Sequence, residues 1–122
     1  MSSKHDIVSK EDVELLVKEF YKKVNTDTLL APFFRDIRWD YHLPQLVKFW
    51  SMVLFNDTTF DGNPVASHVR FPLETKHFDR CVQLFHETLD EHFAGGKMLE
   101  ARERASNLAV IFQYQLGILP GK

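Results

Sequence analysis

The chain has 122 residues, enough for one compact domain with a real core and little more. Its 15 basic and 17 acidic side chains give a formal net charge of −2, and the basic residues are scattered, which argues against a nucleic-acid-binding surface. No apolar run could span a membrane, no secretory signal opens the chain and its single cysteine cannot form an internal disulfide, so the expected compartment is the cytoplasm.

Phenylalanine is unusually abundant, with 11 residues in this short chain. Its ring offers a flat, apolar and unreactive surface that is costly to leave in water. So many rings suit either a dense core or the wall of a flat apolar ligand site.

The first predicted helix opens at Ser9, whose spacing from Asp12 fits a capping box. Residues 1–8 are expected to form a loose extension of a single domain that covers residues 1–122. The polar run 25–27 ends this helix, and a short apolar turn follows at 29–34. The spacing of one buried helix face is kept by Val13, Leu16, Val17, Phe20, Tyr21 and Val24.

Pro44 is well placed as the first residue of another helix. The polar run 56–59 ends that helix, and turn-forming residues follow at 61–64. Between Pro64 and Pro72 there is room for about two helical turns. The inner side of the helix is predicted to carry Leu46, Val47, Trp50, Val53 and Leu54.

Two long amphipathic helices complete the chain. The first follows Thr75 and is expected to stop at the glycine pair 95–96, and the second runs from Met98 to Leu116, where Gly117 can end it. No segment shows the alternation of a strand, so the predicted fold class is all-α. The apolar face of the first of these helices comprises Phe78, Cys81, Val82, Phe85, Leu89 and Phe93.

No familiar catalytic or zinc motif is present. The pair His86-Glu87 is followed by its next histidine at His92, six residues on, whereas a zinc protease needs the two histidines four apart. His77 and Cys81 could share a helix face, but a structural zinc site needs four ligands. The simpler interpretation of Cys81 is an apolar core residue.

Two of the six histidines stand in unusual surroundings. His42 directly precedes Leu43-Pro44 among large aromatic residues, and His68 lies in the short stretch between two prolines. His5 is expected at a frayed terminus, and His86 and His92 on the surface. From these surroundings alone, an inert side chain remains the simpler interpretation of His42 and His68.

The order and spacing of several short motifs resemble those of the group III truncated haemoglobins, from Val13 to Phe112. The resemblance implies a truncated globin, a two-over-two helical sandwich around haem b (iron protoporphyrin IX). The motifs are Phe20-Tyr21, Pro32-Phe33-Phe34, His42-Leu43-Pro44, Phe49-Trp50, Phe60-x-Gly62-x-Pro64, His68, Pro72 and His77-Phe78-Asp79-Arg80.

The resemblance also assigns roles to single residues. His68 matches the proximal histidine, the protein ligand of the iron, and Arg70 is a candidate partner for a haem propionate. Tyr21 and His42 match the distal residues, and the Tyr21 phenol would donate a hydrogen bond to a diatomic ligand. Apolar walls of the haem site would come from Phe34, Leu46, Phe49, Trp50, Phe71 and Phe78.

One position departs from the family pattern. A tryptophan is expected directly after the run that ends at Arg80, and this chain has Cys81 there. Since a thiol is smaller than an indole and a weaker donor, we expect a roomier pocket that stabilises dioxygen chiefly through Tyr21. Cys81 could instead be redox-active or ligate the iron, which the resemblance does not directly support.

Three functions follow as hypotheses. The resemblance implies reversible binding of dioxygen, nitric oxide or another diatomic ligand by a ferrous haem protein. An enzyme that oxidises nitric oxide or reduces peroxide could use the same site, and it would need an external reductase because no flavin or nucleotide-binding pattern is present. The third hypothesis is a haem-free helical interaction module, with the phenylalanine rings as its core. No nucleic-acid or membrane partner is expected.

Overall fold

The structure is a computed structural model that describes residues 4–34, 39–56 and 74–117. Within these ranges the chain forms helices and no strand, which confirms the predicted all-α class. None of the described helices is long and apolar enough to cross a membrane. The helices are α1 (Lys10–Thr26), α2 (Ala31–Phe34), α3 (Trp39–Phe55), α4 (Thr75–His92) and α5 (Gly96–Gln115).

The helices pack as two pairs. α1 lies against α3, α4 lies against α5, and the two pairs meet chiefly where α1 contacts α4. α4 and α5 run antiparallel, because Asp90 pairs with Arg102 while His86, one turn earlier in α4, reaches Ser106, one turn later in α5. This is the predicted two-over-two arrangement. The core between the layers includes Val13, Leu16, Val17, Phe20, Leu54, Leu84, Phe85 and Leu89.

α1 begins where the sequence predicts. Ser9 is the N-cap, and its hydroxyl oxygen accepts the N–H of Asp12 at 3.4 Å. The Asp12 carboxylate in turn accepts hydrogen bonds from the Ser9 hydroxyl at 3.2 Å and from the N–H of Val8 at 2.9 Å. Five of the six predicted inward residues are buried, and the sixth, Tyr21, is half-buried. The helix continues into the polar run 25–27 and ends at Thr26, with Asp27 as its C-cap.

The prediction that Pro44 opens a helix is wrong. α3 begins at Trp39 and holds Pro44 in its interior, where a proline costs about 3 kcal/mol. The additional turn lets Leu43 pack on the core and brings the His42 ring to 6.4 Å from the Tyr21 ring, centroid to centroid. This packing offsets the backbone hydrogen bond that proline cannot donate.

The prediction that α4 ends at the glycine pair is also wrong. The helix ends at His92, and its C-cap Phe93 has extended backbone and donates its N–H to the Leu89 carbonyl at 2.9 Å. Phe93 is 1% exposed, so burial of its ring turns the chain inward before the glycines are reached. Gly95 instead occupies the N-cap position of α5, and Gly96 is the first residue of that helix.

Asp6 provides the N-terminal cap that Gly95 lacks. Its carboxylate accepts the N–H groups of Lys97 and Met98, each at 2.8 Å, although it lies 91 and 92 residues away in sequence. Burial alone would raise the pKa of Asp6, but hydrogen bonds from backbone N–H groups lower it below its ordinary value. Asp6 therefore stays ionised and stabilises the start of α5.

The rest of segment 4–8, which was expected to be loose, also makes specific contacts. Ile7 is 1% exposed and belongs to the core. The His5 carbonyl accepts the N–H of Ala94 at 3.1 Å, and the His5 ring lies 3.0 Å from the Asp12 carboxylate. These contacts join the start of the chain to the connection between α4 and α5.

Candidate ligand pocket

Side chains from three helices meet around Tyr21. Its ring, on α1, has edge-on contacts with Phe34 of α2 at 6.1 Å and with His42 of α3 at 6.4 Å between centroids. Phe20 lies beside it at 4.7 Å. The structure therefore brings together three residues that the resemblance assigned to one pocket.

A second group of rings continues from Phe20 toward the opposite layer. Phe85 of α4 lies edge-on to Phe20 at 5.2 Å and stacks on Trp50 of α3 at 4.7 Å with planes 20° apart. Phe49 in turn lies edge-on to Trp50 at 5.7 Å. α3 and α4 are joined here through side chains, since within the described ranges their backbones do not pack against each other.

Tyr21 of α1 and Cys81 of α4 are neighbours. Burial, and then the neighbouring Cys81, raise the pKa of the Tyr21 phenol above its ordinary range. Burial, and then the charge of Asp27, raise the pKa of Cys81 to about 12. Both side chains nevertheless keep part of their surface accessible.

The raised pKa values also fix the protonation of both groups. Tyr21 keeps its O–H and remains a hydrogen-bond donor, and Cys81 remains a neutral thiol. The thiolate is the form of cysteine that attacks electrophiles and binds metals. Burial therefore keeps the free Cys81 side chain in its less reactive thiol form.

His77 is engaged in capping α4. Its Nδ1 accepts the N–H of Glu74 at 2.8 Å, and its buried ring lies edge-on to Phe33 at 4.7 Å. In the part of the chain that the structure describes, no cluster of three or more His, Cys, Asp or Glu could hold a metal ion. The two-residue zinc site considered for His77 and Cys81 is therefore not completed by the described residues.

The remaining predicted site residues divide into three groups. Phe34, Phe49 and Phe78 are buried. Leu46 and Trp50 are half-buried and pack against the core. The predicted iron ligand and two neighbours lie outside the described residues: His68, Arg70 and Phe71.

The described residues fit a flat apolar cofactor such as haem. The walls are aromatic and aliphatic, and they come from α1, α2, α3 and α4. The polar groups among the predicted site residues are a phenol, an imidazole and a protonated thiol, all of which can be neutral. A site with this composition suits the apolar faces of a porphyrin and leaves a donor for a small ligand beside it.

Two features near this site were not predicted from the sequence. Phe20 and Phe85 were predicted only as core residues, because helical periodicity does not distinguish a core contact from the support of a cavity wall. The ion pair between Asp27 and Arg80 joins residues 53 positions apart, and no local pattern signals such a contact.

His86 and His92, expected on the surface, are both half-buried. The His86 Nε2 lies 3.0 Å from the carbonyl oxygen of Arg102, across the contact of α4 with α5. His92 lies 3.8 Å from the Glu19 carboxylate of α1. Both rings serve contacts between helices.

Comparison with known proteins agrees with this fold. The family model of the bacterial-like globins matches residues 5–113. The chain is 27% identical to the group 3 truncated haemoglobin ctb of Campylobacter jejuni, over 93% of this chain and 94% of that protein. It is 28% identical to the group 1 truncated haemoglobin GlbN of a Nostoc species, over 73% of this chain and 77% of that protein.

Solved structures show the same similarity. The crystal structure of the group III truncated haemoglobin from Campylobacter jejuni superposes with a TM-score of 0.85 at 26% identity, covering 98% of this chain and 100% of that one. A truncated haemoglobin from Tetrahymena pyriformis, at 22% identity, shares the fold with a TM-score of 0.72 over 91% of this chain and 92% of that one. The chain therefore belongs to the bacterial-like globin family and is of the truncated-haemoglobin type, with its similarity to group III extending over nearly its whole length.

Proposed function

We propose that this protein binds haem b and that it reversibly binds dioxygen or another diatomic ligand at the ferrous iron. Membership in the globin family implies a haem-binding protein. The observation that supports the finer proposal is the Tyr21 phenol, which stays protonated, is only half-buried and lies against the rings of Phe34 and His42. A protonated phenol can donate a hydrogen bond to a ligand bound beside it.

When bound, haem supplies a ferrous iron that takes diatomic gases as ligands. The Tyr21 O–H, whose ring lies against the Phe34 and His42 rings, would supply a hydrogen-bond donor to such a ligand. A donor of this kind favours ligands that develop negative charge, such as dioxygen, over carbon monoxide. The aromatic walls exclude water from the pocket and so protect a ferrous centre from oxidation.

We assign the iron ligand to His68. The support for this assignment is the place of His68 in the order of motifs, between Pro64 and Pro72 and ahead of the run 77–80. A neutral imidazole would give one nitrogen to the metal and needs an acceptor for its other N–H, which fixes the orientation of the ring. His42, whose ring lies beside that of Tyr21, is assigned to the distal side.

Tyr21→Phe tests the distal donor. We expect the variant to release dioxygen about fivefold faster, because one neutral hydrogen bond contributes on the order of 1 kcal/mol net. The release of carbon monoxide should change little. Stopped-flow displacement of each gas from the ferrous protein measures both rates. The matched control is Tyr114→Phe, which removes a hydroxyl from an exposed tyrosine of α5 and should leave both rates unchanged. Unchanged dioxygen release in Tyr21→Phe would refute the proposed role of the phenol.

Cys81→Trp tests the small residue opposite Tyr21. An indole N–H is a firmer donor than a thiol, so the variant should release dioxygen more slowly than the natural protein, by about fivefold for one added hydrogen bond. Cys81→Ala removes the weak thiol donor but keeps the space, and its rate should stay close to that of the natural protein. Equal dioxygen release from Cys81→Trp and the natural protein would show that position 81 does not control ligand stability.

A further inference from the structure

Asp27 makes the junction between α1 and α2. Its N–H donates to the Val24 carbonyl at 3.3 Å, which closes the last turn of α1. Its carboxylate Oδ2 accepts the N–H groups of Leu29 and Leu30, both at 3.2 Å, and its carbonyl accepts the N–H of Ala31 at 2.8 Å. One residue therefore ends the helix that carries Tyr21 and begins the turn that leads into α2.

Arg80 attaches the same residue to α4. The Oδ1 atom of Asp27 accepts a hydrogen bond from Nε of Arg80 at 2.8 Å, and Nη2 of the same guanidinium lies 2.7 Å from that oxygen as an ion pair. The hydrogen bond from Arg80 holds the pKa of Asp27 below its ordinary value, so the pair stays ionised. The Asp27 side chain is only 7% exposed, and the guanidinium fork fixes the direction of approach.

Each helix joined at Asp27 carries one wall of the pocket. α1 carries Tyr21, α2 carries Phe34, and Cys81 of α4 directly follows Arg80. A shift of α4 along this contact would change the separation of the phenol from the thiol. A small displacement of a group that contacts a ligand has a large effect on rates. Such a shift of α4 should therefore alter the rates at which a ligand binds and leaves.

We propose that the ion pair of Asp27 and Arg80 is a positioning pair that sets the separation of Tyr21 and Cys81 across the ligand pocket. The inference rests on the proposed function, because its consequence is the behaviour of a bound gas. Neither residue touches that ligand. Their effect passes through the placement of α1 and α4.

The chain offers a matched control in a second bridge between the same helices. Lys23 of α1 pairs with Glu91 of α4 at 2.9 Å. Glu91 is ten residues from Cys81, or about 15 Å along the helix axis. Lys23→Gln therefore removes an ion pair between α1 and α4 without disturbing the junction next to the pocket.

The test compares Arg80→Gln, Asp27→Asn and Lys23→Gln as haem-loaded proteins. The readouts are the infrared stretching band of bound carbon monoxide, which reports the donors and field around the ligand, and the dioxygen release rate. We expect Arg80→Gln and Asp27→Asn each to shift or split the carbonyl band and to change dioxygen release by about threefold. The double variant should add nothing further, because both changes break one interaction. Lys23→Gln should match the natural protein.

Arg80→Lys keeps the positive charge but loses the planar guanidinium group. Of the variants at this ion pair, it should disturb folding least. Its carbonyl band should lie between those of the natural protein and Arg80→Gln. The inference is overturned if the Arg80 and Asp27 variants keep the natural band and rate, or if Lys23→Gln changes them equally. A natural protein that takes up no haem would instead overturn the proposed function itself, before any variant is compared.

Discussion

His68→Ala is expected to abolish stable haem binding, whereas His42→Ala is expected to leave haem bound. If the His68 imidazole is the protein's only bond to the iron, its loss removes the whole coordinate interaction. Even the loss of a residue that only orients a metal ligand costs roughly 10- to 100-fold in metal affinity. A titration of the haem-free proteins with haemin should therefore show a weakening of more than about a hundredfold for His68→Ala.

Free imidazole separates loss of the ligand from loss of the fold. In a His68→Gly variant, added imidazole can occupy the vacated position and should restore the spectrum of the natural protein. His42→Ala should retain haem with altered ligand rates, because its ring lies on the same side as Tyr21. A His68→Ala protein with an unchanged ferrous spectrum would show that another residue holds the iron.

Gly95→Ala and Gly96→Ala are expected to change stability in opposite directions. Gly95 has φ +134°, which side chains rarely adopt, and a Cβ there would lie 2.6 Å from Cγ of Asp6. The strained backbone and the displaced cap should together cost about 2–4 kcal/mol. A Cβ at Gly96 would meet nothing within 4 Å, so its substitution should stabilise the protein by about 0.4–1 kcal/mol. Denaturant unfolding of both variants in the same haem state measures the difference.

A double-mutant cycle separates the two costs at Gly95. In an Asp6→Ala background the close contact is gone, so Gly95→Ala should cost only its backbone strain and less than it does in the natural protein. Equal small effects of the two glycine substitutions would contradict both the positive φ and the capping of α5 by Asp6.

The parts of the fold that follow local rules could be predicted from the sequence. α1 begins directly after its N-cap Ser9, because Ser9 bonds to Asp12 three residues later. The buried face of that helix follows the helical period. The predictions that failed concern parts of the fold that depend on contacts between residues far apart in sequence. Pro44 signals a helix start, but packing of Leu43 and the contact of His42 with Tyr21 extend α3 by another turn.

The prediction for the start of α5 was wrong for the same reason. A glycine pair after an amphipathic stretch is typical of a helix end, and only the structure shows that Asp6 reaches Lys97 from the other end of the chain. The sequence around the start of α5 does not indicate that a carboxylate 91 residues away caps this helix. Segment 4–8, which was expected to be loose, is attached to the rest of the fold by this contact and contributes Ile7 to the core.

The candidate site was predictable only through the family resemblance. From periodicity alone, Tyr21 belongs to the same face as Val17 and Val24 and would be a core residue. Its ring is only half-buried and lies against the rings of Phe34 and His42, which hydrophobic spacing cannot reveal. The assignment of His68 still depends on motif order, because it lies outside the described residues.

Titration of the purified protein with haemin, followed by its absorption spectrum, tests the central claim most directly. We expect an intense Soret band that grows with added haemin and saturates at one haem per chain. After reduction, carbon monoxide should shift that band, and removal of the gas should reverse the shift. A spectrum that stays that of free haemin, with no saturation, would contradict the assignment of this pocket to haem and to a diatomic ligand.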